Sequence, residues 1–104
     1  MDDLAQLRTD IDTIDDRIVD LLAQRFAICR RVAEYKLRHD IPVVLPDRIE
    51  QVKTRCADRA VGQDVDRDFV LALYTLIIDQ TCETEWALQR ALADADPKTK
   101  LPPS

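Results

Sequence analysis

Three cations and one acid stand out for the company they keep. Arg8, Arg25 and Lys36 fall in one stretch, Leu4 to Arg38, that is otherwise built on an apolar repeat. Glu85 falls on a second apolar repeat, with bulky Tyr74 and Trp86 nearby in the same stretch. Arg25 and Lys36 are eleven residues apart; on a helix that is three turns plus about 20°, with about 16 Å of rise. They therefore share a face, whereas Arg8 points about 100° away and meets a different neighbour. Any one such residue reads first as solvated surface charge. Arg25 is less bland, because it adjoins Leu21, Leu22 and Phe26. Inward-facing arginine is suited to holding carboxylates, which its planar fork can grip through two hydrogen bonds.

Other chemistries have less support. His39 is the sole histidine, and no nucleophile signature lies near it. Cys29, Cys56 and Cys82 show no metal-ligand spacing and read as buried, reduced thiols of a cytosolic protein. No metal is expected. Fifteen Lys and Arg against twenty Asp and Glu leave a net charge of −5, which argues against a general binder of nucleic acid or anionic membrane. No signal-peptide pattern and no spanning apolar run is present, so a cytoplasmic chain is expected.

The elements that must position these residues are helices. Leu4 to Arg38 contains no Gly or Pro. Its apolar residues, from Leu4, Leu7, Ile11, Ile14 and Ile18 on to Val32 and Ala33, recur in steps of three and four. Asp2 and Asp3 suit its start, and Pro42 ends it. Pro46 opens a second helix that carries Ile49, Val52, Cys56 and Ala60 on one side and stops at Gly62. Asp64 or Asp66 caps a third, Arg67 to about Ala93, with a stripe of Phe69 or Val70, Leu73, Ile77, Thr81 or Cys82, Glu85 and Leu88. The expectation is an all-α domain over residues 1–93, long helix, medium helix, long helix, and a disordered tail over 94–104.

Length adds a constraint. The first helix is roughly 50 Å long, against a diameter of about 35 Å for a compact chain of this size. One copy cannot bury that stripe, so a second copy is expected along the overhang.

In order, these segments resemble the all-helical chorismate mutase family over about Leu4 to Leu92. The resemblance rests on Leu7-Arg8, Ile11-Asp12, Ile14-Asp15 and Leu21-Leu22-Ala23-Gln24-Arg25, then Val32-Ala33 to Lys36. It resumes at Pro46-Asp47-Arg48, Leu73-Tyr74 and Ile77-Ile78 to Glu85. It implies an intertwined helical homodimer with two identical sites, acting without cofactor on a small dicarboxylate. Arg8 matches a cation that crosses into the partner's site. Arg25, Lys36 and Arg48 match cations of the chain's own site, and Thr81 matches a small hydroxyl residue that contacts substrate. Val32 and Ile78 match apolar lining. Glu85 matches a position often held by Gln, and by Glu in some members. The implied reaction is the rearrangement of chorismate to prephenate, with Arg25, Lys36 and Glu85 as its catalytic groups.

One departure bears on substrate. Two acids that hold the C4 hydroxyl of chorismate in well-known members are replaced here by Leu45 and Ile49. Asp47 or Glu50 could serve instead if the loop shifts by a residue. Related enzymes of this fold act on 4-amino-4-deoxychorismate, or split isochorismate into salicylate and pyruvate. A third reading is a non-catalytic helical dimer that binds a protein partner; the joint presence of Arg8, Arg25, Lys36 and Glu85 argues against it.

Overall fold

The computed structural model describes residues 3–95. They form three helices, α1 (Asp3–Arg38), α2 (Pro46–Ala60) and α3 (Arg67–Ala95). Asp2, and the expected tail beyond Ala95, lie outside the described residues; Asp94 and Ala95, expected in that tail, are the last turn of α3.

Local chemistry accounts for the ends. Acidic Asp3 in the first turn of α1, and Lys36 and Arg38 in the last, complement the helix dipole. Asp40, at φ 55°, turns the chain out of α1 in a left-handed conformation that Asp tolerates. Pro46 starts α2 where no amide donor is needed. Gly62, at φ 90°, ends it at little steric cost. Asp66 caps α3, its Oδ1 accepting from the Asp68 amide at 3.2 Å.

α3 packs on both α1 and α2, which do not pack on each other. A small core gathers where α2 meets α3: Ala57, Ala60 and Val70, with Cys56, Leu71 and Tyr74 against them. Packing on two sides decides which face of α3 is inward. Val70, Ile78, Thr81 and Glu85 are buried, while Phe69 and the expected stripe residue Leu73 are exposed. Phe69 lies about 100° from Val70; Leu73 lies only about 60° from it, but on the side away from Ile78 and Glu85, about 100° from the middle of the buried face.

The first half of α1 has no such support. Every residue from Asp3 to Leu21 is exposed, and Leu7, at the centre of the expected stripe, is 57% exposed. The radius of gyration is 18.8 Å, against about 13 Å for a compact chain of this length. Among the described residues no helix is long and apolar enough to cross a membrane.

Ala57 is completely buried in the core between α2 and α3. Ala57→Leu is expected to cost about 1–3 kcal/mol by overpacking. Urea unfolding at fixed protein concentration checks this, and an unchanged midpoint would show that α2 and α3 have slack there.

Candidate active site

The inward faces of α1 and α3 bring together groups far apart in sequence. Arg25 Nη1 donates to Thr81 Oγ1 at 2.6 Å and approaches Cys29 Sγ at 3.7 Å. The Thr81 hydroxyl spends its own proton on the Ile77 carbonyl, 2.9 Å away. Its lone pair is therefore free to accept from Arg25, and this pins the guanidinium across the helix seam.

Further along the seam, Lys36 Nζ donates to the Val43 carbonyl at 2.9 Å and lies 3.0 Å from Glu85 Oε1. Glu85 is only 4% exposed. Its Oε1 is at ion-pair distance from the ammonium but out of line for a hydrogen bond, and it has no hydrogen-bond partner. An unsatisfied buried acceptor costs about 1–3 kcal/mol. The ion pair offsets part of that cost, and a ligand donor could offset the rest.

These groups border one cavity of about 430 Å³, within the range of about 300–1,000 Å³ usual for small-molecule sites. Arg25, Lys36, Arg48, Thr81 and Glu85 supply its polar wall. Val32, Val43, Val52 and Ile78 supply much of its apolar wall, and Leu45 and Ile49 also face it. Three cations against one acid make it a site for an anion. Arg48 meanwhile donates to Gln51 Oε1 at 2.7 Å, at the surface. A larger, more open depression of about 540 Å³ lies next to it around Leu76 and Trp86. It offers Lys53 alone against Asp79 and Glu83, the wrong charge balance for a dianion.

Arg8 is not brought to the cavity. It lies seventeen residues from Arg25 on the same helix, roughly 25 Å along the axis, on the exposed half. The cysteines also differ from the expected core thiols. All three are free and half-buried; Cys56 packs on the core, whereas Cys29 and Cys82 line the cavity. Val43 and Ile28 are further lining residues that no sequence pattern singled out. Val43 acts through its backbone carbonyl, which side-chain type cannot signal. Ile28 lies outside the apolar repeat of α1. His39, read as a residue at the helix end, stands against Tyr35 with ring centroids 4.2 Å apart.

The sequence profile of the chorismate mutase type II family matches residues 7–86. A 4-amino-4-deoxychorismate mutase of Streptomyces venezuelae is 35% identical over 80% of this chain and 81% of its own length. One from Streptomyces pristinaespiralis is 39% identical over 82% of this chain and 67% of its own. A chorismate mutase of Methanocaldococcus jannaschii is 30% identical over 73% of this chain and 77% of its own.

The thiol of Cys82 reports on the charge of the cavity. Burial pushes its pKa up, and the carboxylate of Glu85 pushes it further the same way, while Lys36 pulls it down. A raised pKa keeps the unreactive thiol form present to higher pH. Alkylation of Cys82 by iodoacetamide should therefore set in at higher pH than for an ordinary cysteine. Glu85→Gln removes a like charge and should speed alkylation at a given pH. Peptide mass spectrometry at several pH values checks this, and an unchanged rate in the variant would show that Glu85 does not act on Cys82.

Proposed function

The chain belongs to the chorismate mutase type II family, and from that membership and the charge of its cavity we propose that it rearranges chorismate to prephenate. The observation that carries the reading is three cations and one buried carboxylate around a single ligand-sized cavity. A small dianion needs fixed positive charge, and arginine supplies it with directional donors. Arg25, already pinned by Thr81, and Arg48 hold the carboxylates and keep the flexible substrate in its reactive form, a contribution of proximity and orientation.

The rearrangement itself is pericyclic and asks for no nucleophile. The ether C–O bond breaks ahead of C–C bond formation, so negative charge grows on the ether oxygen. Lys36 is held by Val43 and placed beside Glu85. Together they can meet that charge as preorganised donors. Val32 and Ile78 shape the cavity around the ring.

A second reading is favoured by the apolar wall. Leu45 and Ile49 face the cavity, so no carboxylate there receives a C4 hydroxyl. Two relatives are named as mutases of 4-amino-4-deoxychorismate. The same rearrangement on that amino substrate needs the same cations. Incubation with chorismate, 4-amino-4-deoxychorismate and isochorismate, followed by chromatography, tests both readings. Prephenate, or its amino analogue, is the expected product. Release of pyruvate from isochorismate alone, or no turnover of any of the three, would overturn the assignment.

The functional unit we propose is a homodimer in which Arg8 completes the partner's site. The exposed apolar stripe of α1, and the distance of Arg8 from its own cavity, support this. Arg8→Ala, Arg25→Ala and Lys36→Ala should each lower kcat/KM by at least about a hundredfold, since each removes a charge-assisted contact in a closed site. Mixing Arg8→Ala with Lys36→Ala protein should restore activity, because the mixed dimer holds one site with both residues intact. Sedimentation must confirm subunit exchange; no rescue after exchange would rule out the crossed arginine. Three unpaired cysteines suit a reducing compartment, in keeping with a cytoplasmic assignment.

Glu85 is tested through its hydrogen-bonding capacity. A group aimed at the ether oxygen helps the reaction when it donates a hydrogen bond to the charge growing there. Glu85→Gln always presents a donor and keeps the shape of the side chain, so it should retain kcat/KM within about tenfold of wild type, whereas Glu85→Ala should lose at least about a hundredfold. Steady-state kinetics of both variants checks this; equal losses in the two would remove Glu85 from the role of donor.

A further inference from the structure

Outside the site already described, Gln89 ties α3 to α1. Its Nε2 donates to the backbone carbonyl of Ala33 at 2.9 Å, a contact between α3 and α1 across 56 positions of sequence. Gln89 lies one turn beyond Glu85 on α3, and Ala33 lies just under one turn before Lys36 on α1. The two helices run in the same direction here, since Arg25–Thr81 and Ala33–Gln89 keep one offset of 56 residues; the Lys36–Glu85 pair crosses the level of the Gln89–Ala33 contact diagonally, with each member about one turn from it. Ala33 is completely buried, and its small side chain lets the helices approach closely at this point. The carbonyl that Gln89 reaches belongs to a mid-helix residue, so its bond to Gln89 is additional to the helix ladder and fixes α1 at that level.

The Lys36–Glu85 pair has no such fixing of its own. Glu85 Oε1 is near the ammonium without a hydrogen bond, so this contact does not define the separation of the helices by geometry. Lys36 is anchored to Val43 on the loop side. From this we infer that Gln89 is a positioning residue, whose amide holds α3 at the distance and rotation that place Glu85 opposite Lys36 for the reaction. This rests on the function proposed above. It assigns no contact between Gln89 and substrate.

The position predicts a specific kinetic signature. Loss of the amide loosens α3 against α1 at this level; Arg25 stays tied to Thr81 by a hydrogen bond, whereas Glu85, whose Oε1 has none, drifts relative to Lys36. A displacement of about 1 Å at reacting groups can cost up to a hundredfold in rate. The chosen variant is Gln89→Met, which keeps length and volume and removes the donor. Its kcat should fall about tenfold while KM changes less than about threefold, the pattern of an interaction felt mainly in the transition state. Gln89→Leu is the second variant, and circular dichroism establishes that each is folded. The decisive comparison is a double-mutant cycle with Glu85→Ala. Where Glu85 has no side chain left to position, Gln89→Met should change kcat less than about twofold. An equal tenfold loss in both backgrounds, or no loss in either, would overturn the inference. Measurements use whichever of chorismate and 4-amino-4-deoxychorismate wild type turns over faster. Wild type inactive on both would overturn the proposed function and this inference with it, whereas an active wild type without coupling overturns only the role of Gln89.

Discussion

A carboxylate held out of water beside a lysine is the contact on which this arrangement depends. Moving a charge into a protein interior costs several kcal/mol, recovered only by a close partner of opposite sign. Glu85 has that partner in Lys36, and the consequences spread outward. Lys36 must come from the last turns of α1, so α1 has to lie along α3. Its remaining donor capacity reaches Val43, which ties the loop between α1 and α2 to the same spot. Ala33 supplies the close approach that the pairing needs. One buried acid thus draws two helices and a loop to one spot, and the same acid faces the cavity.

The cost of this design is a poorly supported chain. α3 is a spine with α1 on one side and α2 on the other, and no third contact closes the bundle. Among the described residues no large side chain is fully buried. Surface ion pairs such as Arg67–Asp58 contribute little, about 0–1 kcal/mol each, and do not make up for a missing core. Burial of the α1 stripe against a second copy would supply apolar area on a larger scale, at about 25 cal/mol per Å². The proposed pairing therefore links stability to catalysis, since the half of α1 that needs cover is the half that carries Arg8.

Within the cavity, charge and shape divide the work. In the proposed reaction, Arg25, Lys36 and Arg48 are the groups that would answer to the substrate's carboxylates and to the charge that develops. They would serve any substrate of the chorismate kind. On the same proposal, discrimination at the ring would fall to the apolar wall, where the side chains of Leu45 and Ile49 offer dispersion contacts and no acceptor. That wall does not grip a hydroxyl, and this is why family membership settles the kind of reaction sooner than the preferred ring substituent.

The helices were legible because their causes are local. Gly and Pro are absent from Leu4 to Arg38, Pro46 starts α2, Gly62 ends it and Asp66 caps α3; each acts on its own few residues, and the bounds expected from them differ from those found by no more than two residues. That Arg25 and Lys36 share a helical face was also readable from their eleven-residue spacing, while their place in a site was only implied by the family resemblance. What sequence could not decide is which of two neighbouring faces turns inward when a helix packs on both sides. On α3 Val70 rather than Phe69 is buried, Leu73 of the expected stripe is exposed, and Cys29 and Cys82 line a cavity rather than a core. Nor could it place a backbone carbonyl such as that of Val43, or an amide such as that of Gln89, whose partners are distant in the chain. Periodicity describes one helix at a time. Only the packing of α3 between α1 and α2 brings its groups to those of another helix, and that relation is what makes a cavity.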